Sequence, residues 1–375
     1  VTTSPAHLHP AAARLPLVCR SHLNYPSFDA RIDEVSACAA KSTRSSLPVT
    51  DRINAACAAW NLCALIASDC GLHDYAQDLC LRQLHLFRQA WPVTGNAAIA
   101  ALQPLVNLVR LTARAGQKAA AYDQLTALHH AVHRGGPVTV HGHVIDLTGF
   151  TDDTTREHIR PWLQLVMLDD GTRLLTATAQ WARAAAHATA YDDAHSRLGE
   201  AHQTRVIAAL ADGNPAQATQ LISSSASAEP WETAVSDVLR HLVRDASGNT
   251  APIHYPALAT TVENLFHEAS AHTRMFRTRL ALTVIELAPP NSTVHAGLRE
   301  TVAREVLAAS DAHVAREILR RSPAGNPHRK ELEDAVRSAG LGAGRLPGTA
   351  GSVMERAARI AGHSLTQCLT AGKEA

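Results

Sequence analysis

Five histidines crowd one stretch of the chain, His129, His130, His133, His141 and His143, with Asp146 just beyond. His129 and His133 are four residues apart, so a helix sets them on one face, an arrangement that metal sites use. His141 opens a His-Gly turn and His143 follows it. No HExxH motif occurs and no Cys lies within the cluster. The default reading is imidazoles that serve structure or face solvent. No metal or other cofactor is expected, and His129, His133, His141 and His143 are the candidates were one to bind.

Charged side chains offer less chemistry than recognition. Arg110, Arg114 and Arg173 carry guanidinium forks that can grip carboxylates through paired hydrogen bonds. Adjacent acids occur at Asp152–Asp153, Asp169–Asp170 and Asp192–Asp193, but neighbours on a helix point to different sides and make no general acid/base pair. The first and third pairs suit helix N-termini, where the dipole favours negative charge. Arg316, Arg320 and Arg321, with Arg329 and Lys330 nearby, form the densest basic patch, yet no aromatic residue is interleaved for stacking a base. No Ser/His/Asp or Cys/His grouping has the spacing of an activated nucleophile. The chain therefore reads as non-enzymatic.

The elements that must position these groups are helical. Of 375 residues 46% are hydrophobic but only 4% aromatic, Ala is abundant and β-branched runs are rare, which selects an all-α fold. A net charge of +1 supplies no field that argues for nucleic acid or an anionic membrane. Four of seven Cys, Cys57, Cys63, Cys70 and Cys80, fall in apolar helical stretches, as small buried hydrophobes do in a reducing cytoplasm. With no run of 18 apolar residues, no membrane partner and a cytoplasmic location are expected. A first residue of Val suits a GUG start codon and hence a bacterial gene.

Along the chain, residues 1–27 read as a loose, Pro-punctuated lead-in and 28–339 as helices joined by short turns, with single helices expected over 154–178 and 193–211. Thr50 or Asp51 is expected to cap the helix that carries Ile53, Cys57, Trp60 and Ala64. Residues 135–153 contain VTVHGHVIDL, a small β-hairpin turning at His141–Gly142. The Gly-rich stretch 340–351 lacks a preceding strand and a Lys-Ser/Thr ending, so it reads as a hinge and not a phosphate loop. Residues 352–375 form an amphipathic helix opened by a Ser352/Glu355 capping box. Its stripe must dock on its own chain as a cap or on another copy.

One mark recurs between helices: a small residue, four others, then Ala. It stands at Gly71–Ala76, Gly116–Ala121, Ala179–Ala184, Gly213–Ala218 and Ser310–Ala315. This punctuation resembles the tetratricopeptide repeat, a 34-residue helix-turn-helix unit. Trp60, Gly71 and Ala76 stand at that family's separations, and Ala179 and Gly213 are 34 residues apart. Other intervals, 45, 63 and 97 residues, depart from it. The resemblance implies a right-handed α-solenoid whose first helices line a groove for a peptide or protein partner. The residues it places there are Asn61, Ser68 and Asp69 in the first unit, Gln103, Arg110 and Arg114 in the second, Asp169 and Arg173 in the third, and Glu200 and Gln203 in the fourth. The family's Lys/Asn carboxylate clamp is not reproduced. A regulatory binding scaffold is the function so implied. The alternatives are an enzyme or accessory factor of peptide or natural-product modification using the His-rich hairpin, and a structural protein that oligomerises through the C-terminal helix.

Overall fold

A computed structural model describes residues 8–22, 25–192, 197–248, 255–267, 270–289, 292–321 and 326–374. About three quarters of them are helical, and the only sheet among them is a two-stranded ribbon. The fold is all-α. Contacts divide it into two compact units, one of Val1–Tyr25 with Leu168–Val336 and the other of Pro26–Met167 with Arg337–Ala375.

The second of these contains α1 (Phe28–Ser42), α2 (Val49–Asp69), α3 (His73–Gln89), α4 (Gly95–Arg114), α5 (Lys118–Arg134), β1 (Pro137–Val140), β2 (His143–Asp146) and α6 (Asp153–Val166). Each helix packs on the next, and α2 also meets α4, as α4 meets α6. The ribbon pairs antiparallel about the His141–Gly142 turn, with Val138, Val140 and Ile145 buried. It leans on α5 and α4, the support that a lone hairpin needs. Thr50 and Asp51 lie inside the first turn of α2, whose cap position is Pro48. Pro48 makes no side-chain cap bond, and Asp51 sits instead within the first turn, where the helix dipole favours an acid.

The other unit holds α7 (Thr172–Thr176), α8 (Trp181–Tyr191), α9 (Glu200–Ala211), α10 (Pro215–Ser224), α11 (Pro230–Ala246), α12 (Tyr255–His267), α13 (Arg274–Leu287), α14 (Thr293–Ala309) and α15 (Ala312–Arg321). Here too neighbours in sequence pack together, and α11 meets α13 as α13 meets α15. Glu229 and Glu232 form the capping box of α11. The lead-in is not loose where it is described: Pro10–Arg14 is a 3-10 turn, and Ala11, Ala12, Leu15 and Leu17 are buried in this unit's core with Val238, Leu239 and Leu280. Its prolines fix an extended path that lays these small apolar side chains on the helices. Residues 1–7 and the expected helix start at 193 lie outside the described residues. The expected single helix over 154–178 is divided, with a π-helical stretch Met167–Gly171 between α6 and α7.

All five recurring marks fold the same way. Gly71, Gly116, Ala179, Gly213 and Ser310 have φ of 85°, 85°, 55°, 71° and 52°. Each N–H donates to the carbonyl three residues back, and the next N–H reaches five back: Gly71 to Ser68 and Leu72 to Ala67, through to Ser310 to Leu307 and Asp311 to Val306. This is the Schellman closure of a helix, which requires a left-handed residue at its end. The Ala five positions on, Ala76, Ala121, Ala184, Ala218 or Ala315, is wholly buried each time. A larger side chain there would hold the two helices apart.

Two C-terminal expectations are corrected. The Gly-rich stretch is fastened in place: Gly342 N–H donates to the Asp69 carbonyl at 2.7 Å and Gly344 N–H to the Cys70 carbonyl at 2.7 Å. Gly340, at φ 72°, lies against the Phe28 ring, where a Cβ would stand at 3.0 Å. The glycines serve close approach and carbonyl capping rather than freedom. The last helix, α17 (Ala350–Glu374), starts ahead of Ser352, and Glu355 is spent elsewhere: it accepts two hydrogen bonds from Arg82 at 3.1 Å each and one from the Tyr75 hydroxyl at 2.8 Å. The α17 stripe, including Met354, Ala358, Ala361 and Leu365, is buried on α1, α2 and α3. Ile360 of the same helix keeps 40% exposure. One further helix, α16 (Arg329–Ser338), precedes it.

Candidate functional site

Among the described residues, two cavities take in most of the residues expected in a groove. The first, about 330 Å³, lies in the second unit among α2, α4 and α6. Asn61, Ser68, Gln103, Arg110 and Arg114 line it, joined by Asn107, Leu65 and Trp162. α2 meets α4 and α4 meets α6, so alternate helices wall the cavity, with Cys80 of α3 among its lining.

Its floor carries a directed ladder of side chains. Arg110 Nη1 donates to Asn107 Oδ1 at 3.5 Å, Asn107 Nδ2 to Asn61 Oδ1 at 3.3 Å, and Asn61 Nδ2 to Gln103 Oε1 at 2.6 Å. Gln103, Asn107 and Arg110 stand four and three residues apart, which puts them on one face of α4. The same spacing was open to view in the sequence, and it would have added Asn107. Each primary amide has two N–H donors and two acceptor lone pairs, so the ladder leaves capacity for a ligand. At one end, Arg114 Nη1 donates to Ser68 Oγ at 2.6 Å and to Asp69 Oδ1 at 3.1 Å. The Asp69 side chain is buried to 2% exposure while Arg114 keeps 40%. Asp69 thus belongs behind the wall, where it orients Arg114.

Asp169, Arg173 and Glu200 line the second cavity, about 250 Å³, in the first unit. Arg20 joins the two acids, at 3.0 Å to Asp169 and 2.6 Å to Glu200, and Arg173 reaches Asp169 at 2.5 Å. Burial raises the Glu200 carboxyl above its usual range, and Arg20 opposes that shift. Gln203 is absent from this wall. It is fully buried and staples the lead-in, accepting from Leu17 N–H at 2.7 Å and donating to the Leu17 carbonyl at 2.8 Å. Position on a repeat helix could not separate this inward amide from a groove amide. Eight of the ten expected residues thus line a cavity, five in one unit and three in the other, while Asp69 and Gln203 lie outside both linings.

The histidines are drawn into local contacts. His141, at φ 50°, shares a 2.8 Å hydrogen bond between Nδ1 and Thr112 Oγ1, and its N–H donates to Gln124 Oε1 at 3.2 Å. His143 Nε2 lies 2.9 Å from Gln77 Nε2. The His129 and His133 rings meet edge-on with centroids 4.6 Å apart. Burial lowers His133 and His141 below the ordinary imidazole value, with Arg160 adding to the effect at His133 and His143 at His141. Among the described residues no group of three or more His, Cys, Asp or Glu side chains is set to hold a metal ion. All seven Cys are free of disulfides, and burial pushes the Cys57, Cys63 and Cys80 thiols up to about 12, which holds them protonated and unreactive near neutrality.

Fold and cavities together describe an all-α protein of packed helices in which expected groove residues line a recess in each unit. No family model, curated protein or solved structure matches the chain. Among the described residues no helix is long and apolar enough to cross a membrane.

Proposed function

We propose that the chain is a non-enzymatic, tetratricopeptide-like scaffold and that the cavity among α2, α4 and α6 receives an extended peptide segment. The observation that carries this reading is the ladder from Gln103 through Asn61 and Asn107 to Arg110 along the cavity floor. Side-chain amides both donate and accept, as a peptide main chain does, so a row of them can follow an extended backbone without reading its side chains. Arg110 and Arg114 add charge for a carboxylate, and Leu65 and Trp162 an apolar wall. Consecutive hairpins closed by identical turns, with alternate helices in contact, support a solenoid as the arrangement that presents such a groove. Occupancy of the groove would then serve regulation by changing what the scaffold offers a partner.

The test is selection from a displayed random peptide library on the full chain, followed by titration of the enriched peptides. Wild type should enrich a family of sequences, and Asn61→Ala or Arg110→Glu should weaken them about tenfold or more, the cost of a lost hydrogen bond to a charged or desolvated group. Failure to enrich any sequence, or binding by both variants as tight as by wild type, would overturn the reading.

A further inference from the structure

We propose that the second cavity is a separate binding site for a small phosphorylated molecule, held by Arg279 and Arg321 with Thr172. It does not depend on the peptide reading, since its residues belong wholly to the other unit.

Most of the charge at this cavity is matched at close range. Arg14 pairs with Glu286, Arg20 with Asp169 and Glu200, and Arg173 with Asp169. Two guanidiniums are not matched in this way. The nearest carboxylate to Arg279 is Glu317, at 3.9 Å, and Arg321 has no ion pair among the described residues. Both line the cavity, and His22 stands with them. Their proximity is unfavourable as it stands: burial lowers Arg279 below the usual guanidinium value, Glu317 opposes this, and Arg173 and Arg321 lower it further. His22 is lowered by burial, then by Arg279 and Arg173. Across the whole wall, Arg14, Arg20, Arg173, Arg279 and Arg321 outnumber Asp169, Glu200 and Glu317, and a surplus of positive charge gains from an anion placed among them.

A second observation points to a ligand. Thr172 lines the same cavity, is 1% exposed, and its hydroxyl has no hydrogen-bond partner among the described residues. An unmet buried hydroxyl is costly, and a bound oxyanion would meet it. The donors come from three elements, Thr172 on α7, Arg279 on α13 and Arg321 at the end of α15. Donors converging from several directions suit the tetrahedral oxygens of a phosphate better than the two coplanar oxygens of a carboxylate. Met275 and Phe276 supply an apolar side for the remainder of a small ligand, and the volume limits that remainder to a few atoms.

Calorimetric titration of the full chain with inorganic phosphate, phenyl phosphate and succinate tests the proposal. Both phosphates should bind at one site per chain, and Arg321→Gln, an exposed position whose loss leaves the core intact, should weaken them about tenfold or more. Thr172→Val should weaken them less, while Arg110→Gln in the other cavity should change nothing. No binding by wild type, affinity unaltered by Arg321→Gln, or loss equal with Arg110→Gln would overturn the site. Succinate binding as tightly as phosphate would overturn the assignment of a phosphate.

Discussion

At the scale of single residues, Glu232 is a buried carboxylate outside the cavities. Its side chain is 1% exposed, yet Arg197 Nε donates to it at 2.9 Å and the N–H groups of Ala228 and Glu229 at 2.7 and 3.0 Å. Burial alone would raise this carboxyl, but the Arg197 bond and the two backbone donors outweigh it and hold the group below its usual range. A carboxylate depressed in the folded state stabilises above its unfolded value, about 4.3, and loses that contribution as pH falls through the lower folded value. Glu232→Gln should therefore cost about 1–2 kcal/mol at pH 7, discounted because Arg197 keeps 44% exposure. The difference from wild type in urea unfolding should shrink as pH is lowered from about 5 towards 3. A gap that stays constant over that range would show that the carboxylate charge contributes nothing.

At the scale of elements, the five turns make a prediction opposite in sign at two kinds of position. A left-handed residue with a Cβ costs about 1–2 kcal/mol, whereas Gly adopts the conformation freely. Nothing lies within 4 Å of a Cβ built at Gly71 or Gly116, so Gly71→Ala and Gly116→Ala test conformation without sterics. Each should destabilise by about 1 kcal/mol, and Ala179→Gly and Ser310→Gly should stabilise by a similar amount, read from thermal or denaturant unfolding. The turns were legible because the left-handed end and the close-packed Ala each restrict residue type, and the ribbon because its Val alternation flanks a His-Gly turn. The π-helical stretch at 167–171 was not, since one inserted residue leaves the apolar pattern on either side intact. Gly340 to Gly344 were misread because glycine serves freedom and close approach alike, and only Phe28 and the Asp69 and Cys70 carbonyls tell which. For the cavities, helix face could be inferred at Gln103 and Arg110, but the recruitment of Arg20 and Arg279 depends on tertiary placement that local spacing does not encode.

At the scale of the whole molecule, each unit is closed by chain that is remote in sequence. In one, the lead-in lays Leu15 and Leu17 on helices more than 150 residues away, tied by Gln203. In the other, α17 covers α1 and α2: Ser364 Oγ donates to the Ser42 carbonyl at 2.6 Å, and Gly362 lets the helix reach Trp60 and Leu86, where a Cβ would stand 3.4 and 3.3 Å away. Helices packed on one side only leave an apolar face, and a remote segment that covers it removes that face from water. Met354 and Leu365 are both wholly buried there, and truncating either to Ala should cost about 2–5 kcal/mol. Removal of residues 350–375 would forfeit several such side chains together, comparable to the entire stability of an ordinary domain, about 5–15 kcal/mol. Hydrogen exchange should then rise throughout α1 and α2 in the shortened chain, while in Leu365→Ala it rises in the same helices to a smaller extent. Amides of α1 and α2 that stay protected in the shortened chain would show that these helices hold together without α17. The same measurement bears on the groove, because α2 supplies Asn61 and Ser68: a cap that holds α2 in place also holds one wall of the proposed peptide site.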